Sequence, residues 1–174
     1  AGVGRIPEDR NREGVVGDLT VAENLVLEER RGSRWQRGGV LRRADIARHA
    51  RAVITGYDVR CEGPDATIRL LSGGNVQKLI LGRVMAPQPR LILANQPTRG
   101  LDVGAVAYVH DRLLEARGDG AAVVLISEDL DELLALSDRI AVMYRGRLSR
   151  PEPTGRLTLA RLGLMMAGQL DDAA

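Results

Sequence analysis

In the segment Leu71-Ser72-Gly73-Gly74-Asn75-Val76-Gln77-Lys78 a serine and two glycines stand at the start of a helical pattern. Unpaired backbone N–H groups, little side-chain bulk and the positive end of a helix dipole suit such a terminus to an anion, and the Ser72 hydroxyl adds a donor. A serine cap followed by flexible glycines would use the same residues structurally, and the segment alone leaves both readings open. Further polar residues follow short apolar runs: Asn95 and Gln96 after one, Glu128 after another. Asp102 closes the Thr98-Arg99-Gly100-Leu101 loop, and Glu8 lies in Pro7-Glu8-Asp9-Arg10. Taken singly, Asn95 as a strand-end cap, Gln96 as a loop amide, and Glu8 and Glu128 as exposed charges require no chemistry.

A phosphate loop of the form Gly-x-x-x-x-Gly-Lys-Ser/Thr needs a lysine followed by a hydroxyl residue, and Lys78, the only lysine, is followed by Leu79. The single cysteine, Cys61, excludes an internal disulfide and is compatible with a reducing cytoplasm. His49 and His110 have no second ligand nearby in sequence, so a metal cluster is not implied. Trp35, among Arg31, Arg34 and Arg37, offers a face for base stacking, but a loop packed on neighbouring helices is the simpler reading.

The elements that must position these residues follow from patterning. With 174 residues, 44% hydrophobic and 28% charged, the chain fits a globular domain, and a formal charge of +2 does not imply a nucleic-acid partner. No apolar stretch approaches the ~18 residues of a membrane span. The chain begins at Ala1-Gly2 and is read as a fragment whose beginning lies upstream. A strand is expected over 3–6. Thr20-Val-Ala-Glu23 forms a capping box for a helix to about residue 29. Residues 30–39 read as a loop, and Leu41, Ile46, Ala50, Val53, Ile54 and Tyr57 recur at the spacing of a second helix. After Gly63-Pro64 helices over 72–85 and 103–117 alternate with strands over 91–94 and 121–126, which implies a parallel sheet covered on both faces. A helix over 129–136, a strand over 139–144, a turn at 145–147 into a last strand, and a helix over 156–167 ending at Gly168 complete the pattern. Met165-Met166 should pack in the core. The expected organisation is a junction loop and helical subdomain over 1–63, a signature helix and α/β core over 64–150, and a helical tail over 151–174.

Leu71 to Asn75 resembles the signature of the ATP-binding cassette family, Leu-Ser-Gly-Gly-Gln, with Asn75 in place of the glutamine. The resemblance continues in order. Leu91-Ile92-Leu93-Ala94-Asn95-Gln96-Pro97-Thr98 is similar to the strand ending in Asp-Glu-Pro-Thr, and Gly100-Leu101-Asp102 to the D-loop. Val124-Leu125-Ile126-Ser127-Glu128 is similar to the switch segment, and the run from Arg139 to Gly146 to the closing strands. Together with Pro7-Glu8-Asp9-Arg10 and the Asn75 signature, these motifs resemble the second cassette of importers for simple sugars or nucleosides. The resemblance implies an α/β fold, a partial P-loop ATPase cassette without its Walker A part, with a mostly parallel sheet, flanking helices and a helical subdomain that meets transmembrane permease subunits. It implies ATP and Mg²⁺ as cofactors, a partner nucleotide-binding domain, and a peripheral place on the cytoplasmic face of the bacterial inner membrane.

The resemblance assigns Ser72, Gly73, Gly74 and Asn75 to a partner's ATP, Asp102 to the contact between cassettes, and Glu8 to the position where a glutamine meets Mg²⁺ and water. It also shows departures: Asn95 replaces a magnesium-associated aspartate, Gln96 a catalytic glutamate, and Glu128 a switch histidine. An amide takes no proton from water, and loss of a general base costs ~10²–10⁴-fold in rate. A carboxylate at position 128 would repel a γ-phosphate. One hydrolysing and one holding site per cassette pair is therefore expected, with the chain inactive by itself. The competing expectation is a non-catalytic module that docks on a membrane partner and is regulated by nucleotide. Strand edges left open by absent upstream strands would favour a homodimer of the fragment.

Overall fold

The computed structural model describes residues 2–28 and 34–169, and the chain divides into two compact units, Ala1–Ile126 and Ser127–Ala174. In chain order the first contains β1 (Val3–Ile6), α1 (Val21–Val26), β2 (Gln36–Arg37), β3 (Val40–Leu41), α2 (Arg43–Gly56), α3 (Gly73–Met85), β4 (Leu91–Asn95), α4 (Val103–Gly118) and β5 (Ala122–Ile126). The expected parallel sheet is present, ordered β1-β4-β5. Ile6 lies beside Ala94 and Asn95 beside Ile126, so the three strands finish close together and the loops after β1 and β4 leave from the same end. Ile6, Ile92 and Ala94 are fully buried, whereas Val124 and Ile126 of β5 are 48% and 47% exposed.

Helix α3 is the hub of this unit. Leu79, Ile80 and Leu81 are exposed by 1%, 1% and 0%, and three consecutive positions point in three directions around a helix, so α3 is enclosed on nearly all sides. Gly82 makes one of those approaches possible, since a Cβ there would stand 2.5 Å from Val53 Cγ1 and 3.1 Å from the Tyr57 ring. At the junction of α2, α3 and α4, Lys78 Nζ donates to the Asp58 carboxylate at 2.5 Å and to the Asp58 carbonyl at 3.0 Å, and lies 4.6 Å from the Tyr108 ring centre. The hydrogen bond from Lys78, and then its charge, hold the Asp58 carboxyl below the usual carboxylate range.

The capping box of α1 forms as its residues require. Thr20 Oγ1 accepts from Glu23 N at 3.2 Å, and the Glu23 carboxylate accepts from Thr20 N at 2.8 Å. The helix ends at Val26, earlier than the pattern suggested. Buried Asn24 fastens the preceding loop: its Oδ1 accepts from Val16 N at 2.8 Å, and its Nδ2 donates to Val16 O and Thr20 O at 3.0 and 2.9 Å.

Two expectations change here. The loop over 30–39 contains a strand in its described part, because Gly38 and Gly39 adopt φ of +57° and +81° and turn β2 back onto β3. Residues 30–33 of that expected loop lie outside the described residues. Leu41, expected on the second helix, belongs to β3 opposite Gln36 and is 47% exposed. Trp35 is 3% exposed, its ring centre is 4.9 Å from that of His49, and the Arg34 guanidinium lies over its ring at 4.4 Å, so packing accounts for it.

The second unit contains α5 (Leu130–Leu136), β6 (Arg139–Ile140), β7 (Met143–Tyr144), β8 (Arg147–Leu148), β9 (Glu152–Pro153) and α6 (Leu159–Met166). Ile140, Val142, Leu162 and Met165 form its core, with Leu130, Leu133, Leu134 and Leu157 against them. The single strand expected over 139–144 is two, because β6 pairs with β9 while β7 pairs with β8. Between them the Val142 backbone is satisfied by Ser149, whose hydroxyl and N–H each bond it at 2.9 Å. Met165 is buried as expected, but Met166 is 46% exposed. Among the described residues no helix is long and apolar enough to cross a membrane.

Two outcomes follow for stability. Gly82→Ala should overpack the α2–α3 contact and lower unfolding free energy by about 1–3 kcal/mol, read from urea midpoints. Glu23, held below the usual carboxylate range by the Thr20 N–H and then by the Thr20 hydroxyl, binds a proton more readily unfolded than folded. Its contribution is therefore present above the ordinary carboxylate pKa and is lost as pH falls through the lower folded value. Urea titrations between about pH 3 and 6 should show a shallower acid slope for Glu23→Gln.

Candidate functional site

Ser72 is the N-cap of α3, with extended backbone, and its hydroxyl oxygen accepts from Asn75 N at 3.4 Å and from Asn75 Nδ2 at 2.9 Å. A hydroxyl oxygen accepting two hydrogen bonds keeps its own hydrogen for an outside acceptor. Asn75 also accepts from Arg60 N at 2.8 Å through Oδ1, so its amide is engaged on both sides within the chain and orients Ser72. Ser72 is exposed while Gly73 and Gly74 are half-buried. The cap thus has a structural role, as its residue types allow, and still presents a hydroxyl and a helix start at the surface.

Beside this helix start, two segments are tied together twice. Glu8 forms an ion pair with Arg99. Arg10 donates from Nη1 to Arg99 O at 2.7 Å and from Nη2 to Gly100 O at 3.3 Å. Asp9 caps the short π-helical turn Arg10–Gly14, accepting from Asn11 N and Arg12 N, each at 3.0 Å. Arg10 and Arg99 were not singled out by sequence reasoning. The available signal was position: each adjoins a residue already marked, Arg10 two after Glu8 and Arg99 three before Asp102.

Asn95 ends β4, half-buried beside Ile126. Gln96 follows with φ of +47°, a left-handed backbone uncommon outside glycine, while its N–H donates to Ile126 O at 2.8 Å and its carbonyl accepts from Arg99 N at 3.2 Å. Sheet pairing thus continues one residue past the strand and then breaks sharply into the loop. Asp102 caps α4 by accepting from Ala105 N at 2.9 Å, and Gly74 approaches the same turn, where a Cβ would meet Ala105 Cβ at 3.4 Å. Ser72, Gly73, Gly74, Asn75, Glu8, Asn95, Gln96 and Asp102 all belong to the first unit. Glu128 is exposed in the second, next to Ser127, whose hydroxyl accepts from Asp129 N at 3.0 Å.

The donor set answers differently for the two implied cofactors. An exposed serine hydroxyl at a glycine-rich helix start fits the phosphates of ATP. Mg²⁺ is held through carboxylates, water and phosphate oxygens, whereas positions 95 and 96 offer neutral amides and the Glu8 carboxylate is engaged by Arg99. These residues do not fit a magnesium site of the chain's own.

A parallel sheet with a capped, glycine-rich helix beside the segments that follow β1 and β4 defines the class as part of an α/β cassette-like fold. The likeness to a solved structure agrees at the level of fold: 87% of the chain matches 62% of the ATP-binding cassette MJ0796, a dimer in a post-hydrolysis state bound to ADP and Pi, with a TM-score of 0.66 and 24% identity. No family model matches the chain. Among curated relatives it is 44% identical over 174 residues to the guanosine import ATP-binding protein NupO of Bacillus subtilis, covering all of this chain and 34% of that protein. It is 46% identical to the glucose import ATP-binding protein TsgD13 of Haloferax volcanii, over 99% of this chain and 32% of the relative. The nucleoside import ATP-binding protein NupA of Lactococcus lactis is 45% identical over 95% of this chain and 33% of its own length. Along nearly its whole length the chain is similar to part of these import ATP-binding proteins. It spans about a third of the length of these relatives.

The Glu8–Arg99 pair is largely exposed on both sides, 43% and 63%, so it should contribute little by itself. A double-mutant cycle with Glu8→Ala and Arg99→Ala, followed by thermal or urea unfolding, should give a coupling of about 0–1 kcal/mol that shrinks as salt is raised.

Proposed function

We propose that this chain supplies the signature half of a composite ATP site in the ATP-binding subunit of an importer for a simple sugar or nucleoside. The observation that carries this reading is the Ser72 hydroxyl, turned into a donor by Asn75 and placed at the exposed glycine-rich start of α3. Such a surface binds phosphate but holds no base, so it acts on a nucleotide whose phosphate loop and base belong to a partner nucleotide-binding domain. ATP, once bound there, supplies the free energy of phosphoryl transfer. Ser72, Gly73 and Gly74 orient its phosphates and exclude water from one side. The amides of Asn95 and Gln96 support a second site that holds nucleotide without hydrolysing it, since neither takes a proton from water. Mg²⁺ in this reading accompanies the nucleotide at the partner's loop.

The helical front over residues 1–63 docks on transmembrane permease subunits, placing the protein on the cytoplasmic face of the membrane. The relatives named for guanosine, glucose and nucleoside import support both solute classes.

In the full-length protein, Ser72→Arg should abolish ATP turnover, and adding Gln96→Glu to that variant should not restore it, because the base that matters lies in the partner. Full turnover after the Ser72 change would overturn the reading. Calorimetric titration of Mg-ATP should show binding to a chain extended upstream through its phosphate loop and none to residues 1–174 alone. Tight binding by the shorter chain would mean that the phosphate site lies elsewhere in it.

A further inference from the structure

Gly73 is the signature residue whose missing side chain is most clearly accounted for by a neighbour. A Cβ at that position would stand 3.0 Å from Arg10 Nη2 and 3.3 Å from Nε, so the guanidinium occupies the space that any larger residue would claim. The same guanidinium donates to two successive carbonyls, those of Arg99 and Gly100, at 2.7 and 3.3 Å. Its Nε is buried and makes no hydrogen bond. A planar fork against a glycine backbone on one side and two carbonyls on the other is a geometry that arginine supplies and lysine does not, since an ammonium is a point donor. The Asp9 cap fixes where the turn beginning at Arg10 starts, and the Glu8–Arg99 pair holds the same two segments from the opposite direction.

We infer that Arg10 is a positioning residue: it sets the Ser72–Gly74 helix start against the 99–102 loop, so that the surface offered to nucleotide and the loop leading into α4 keep one relative geometry. The inference rests on the proposed role of Ser72–Gly74 in a composite ATP site. In this reading Arg10 acts through the helix start and the 99–102 loop, the two segments it contacts. Its removal should therefore leave the phosphate-loop half of nucleotide binding intact and impair the step that needs the signature in place.

The test is steady-state ATP hydrolysis by the full-length protein across ATP concentrations, with melting temperatures measured in parallel. Arg10→Ala should lower kcat by about 10- to 100-fold, the scale of misplacing a positioning group, with KM changed less than about threefold. Arg10→Lys should recover part of the loss, because one ammonium reaches one carbonyl. Wild-type kcat in Arg10→Ala, or a loss that Arg10→Lys does not reduce, would overturn the inference and leave Arg10 a structural brace. If Arg10→Ala does not fold, Arg10→Lys decides: reduced kcat at unchanged KM supports the inference, and wild-type kcat overturns it. Ser72→Arg in the same assay separates the two levels. If it is inactive while Arg10→Ala is fully active, only the Arg10 inference fails; if both retain activity, the composite-site reading fails as well.

Discussion

The enclosure of α3 is the constraint on which the rest of the first unit depends. Full burial of an aliphatic side chain is worth about 1.5–3 kcal/mol, and Leu79, Ile80 and Leu81 achieve it in three directions at once. A helix packed this way has neither rotational nor axial freedom. Arg83, one turn on, is 7% exposed and donates to Gly14 O at 2.7 Å and Asn24 O at 3.3 Å, which ties the turn after Arg10 and the end of α1 to the same helix. Burial pushes its pKa down, and the charge of Glu28 opposes that shift. The exposed Ser72 end inherits its position from this packing. Precision at the surface is purchased in the core.

What the residues at the end of β4 offer is hydrogen bonding without proton transfer. Asn95 and Gln96 place two neutral amides at the end of β4, and an amide hydrogen-bonds but takes no proton from water. The left-handed backbone of Gln96 costs ~1–2 kcal/mol relative to an ordinary conformation, and it persists because sheet pairing to Ile126 holds the residue before the bend.

Local rules were legible wherever one residue type answers one backbone need. Thr20 with Glu23, Ser72 before Gly73, Asp102 before α4 and Gly168 after α6 all mark helix ends in the sequence and do so in the structure. Cross-chain choices were not legible. The β2–β3 turn depends on two glycines that read equally well as a loop, and the break between β6 and β7 arises because β6 pairs with the later strand β9 while β7 turns straight back onto β8. Arg10 was invisible for the same reason: its acceptors are backbone carbonyls near residue 100, and carbonyls leave no mark in a sequence.

The junction around Lys78 has a practical corollary. The chain carries a single ε-amine, and its side chain is 16% exposed, screened by Asp58 and the Tyr108 ring where α2, α3 and α4 meet. An acylating reagent therefore has one internal target, and that target is chemically shy for as long as the three helices stay together. The rarity of lysine turns a packing contact into a built-in reporter, one whose acquisition of a mass tag would time the opening of the hub itself.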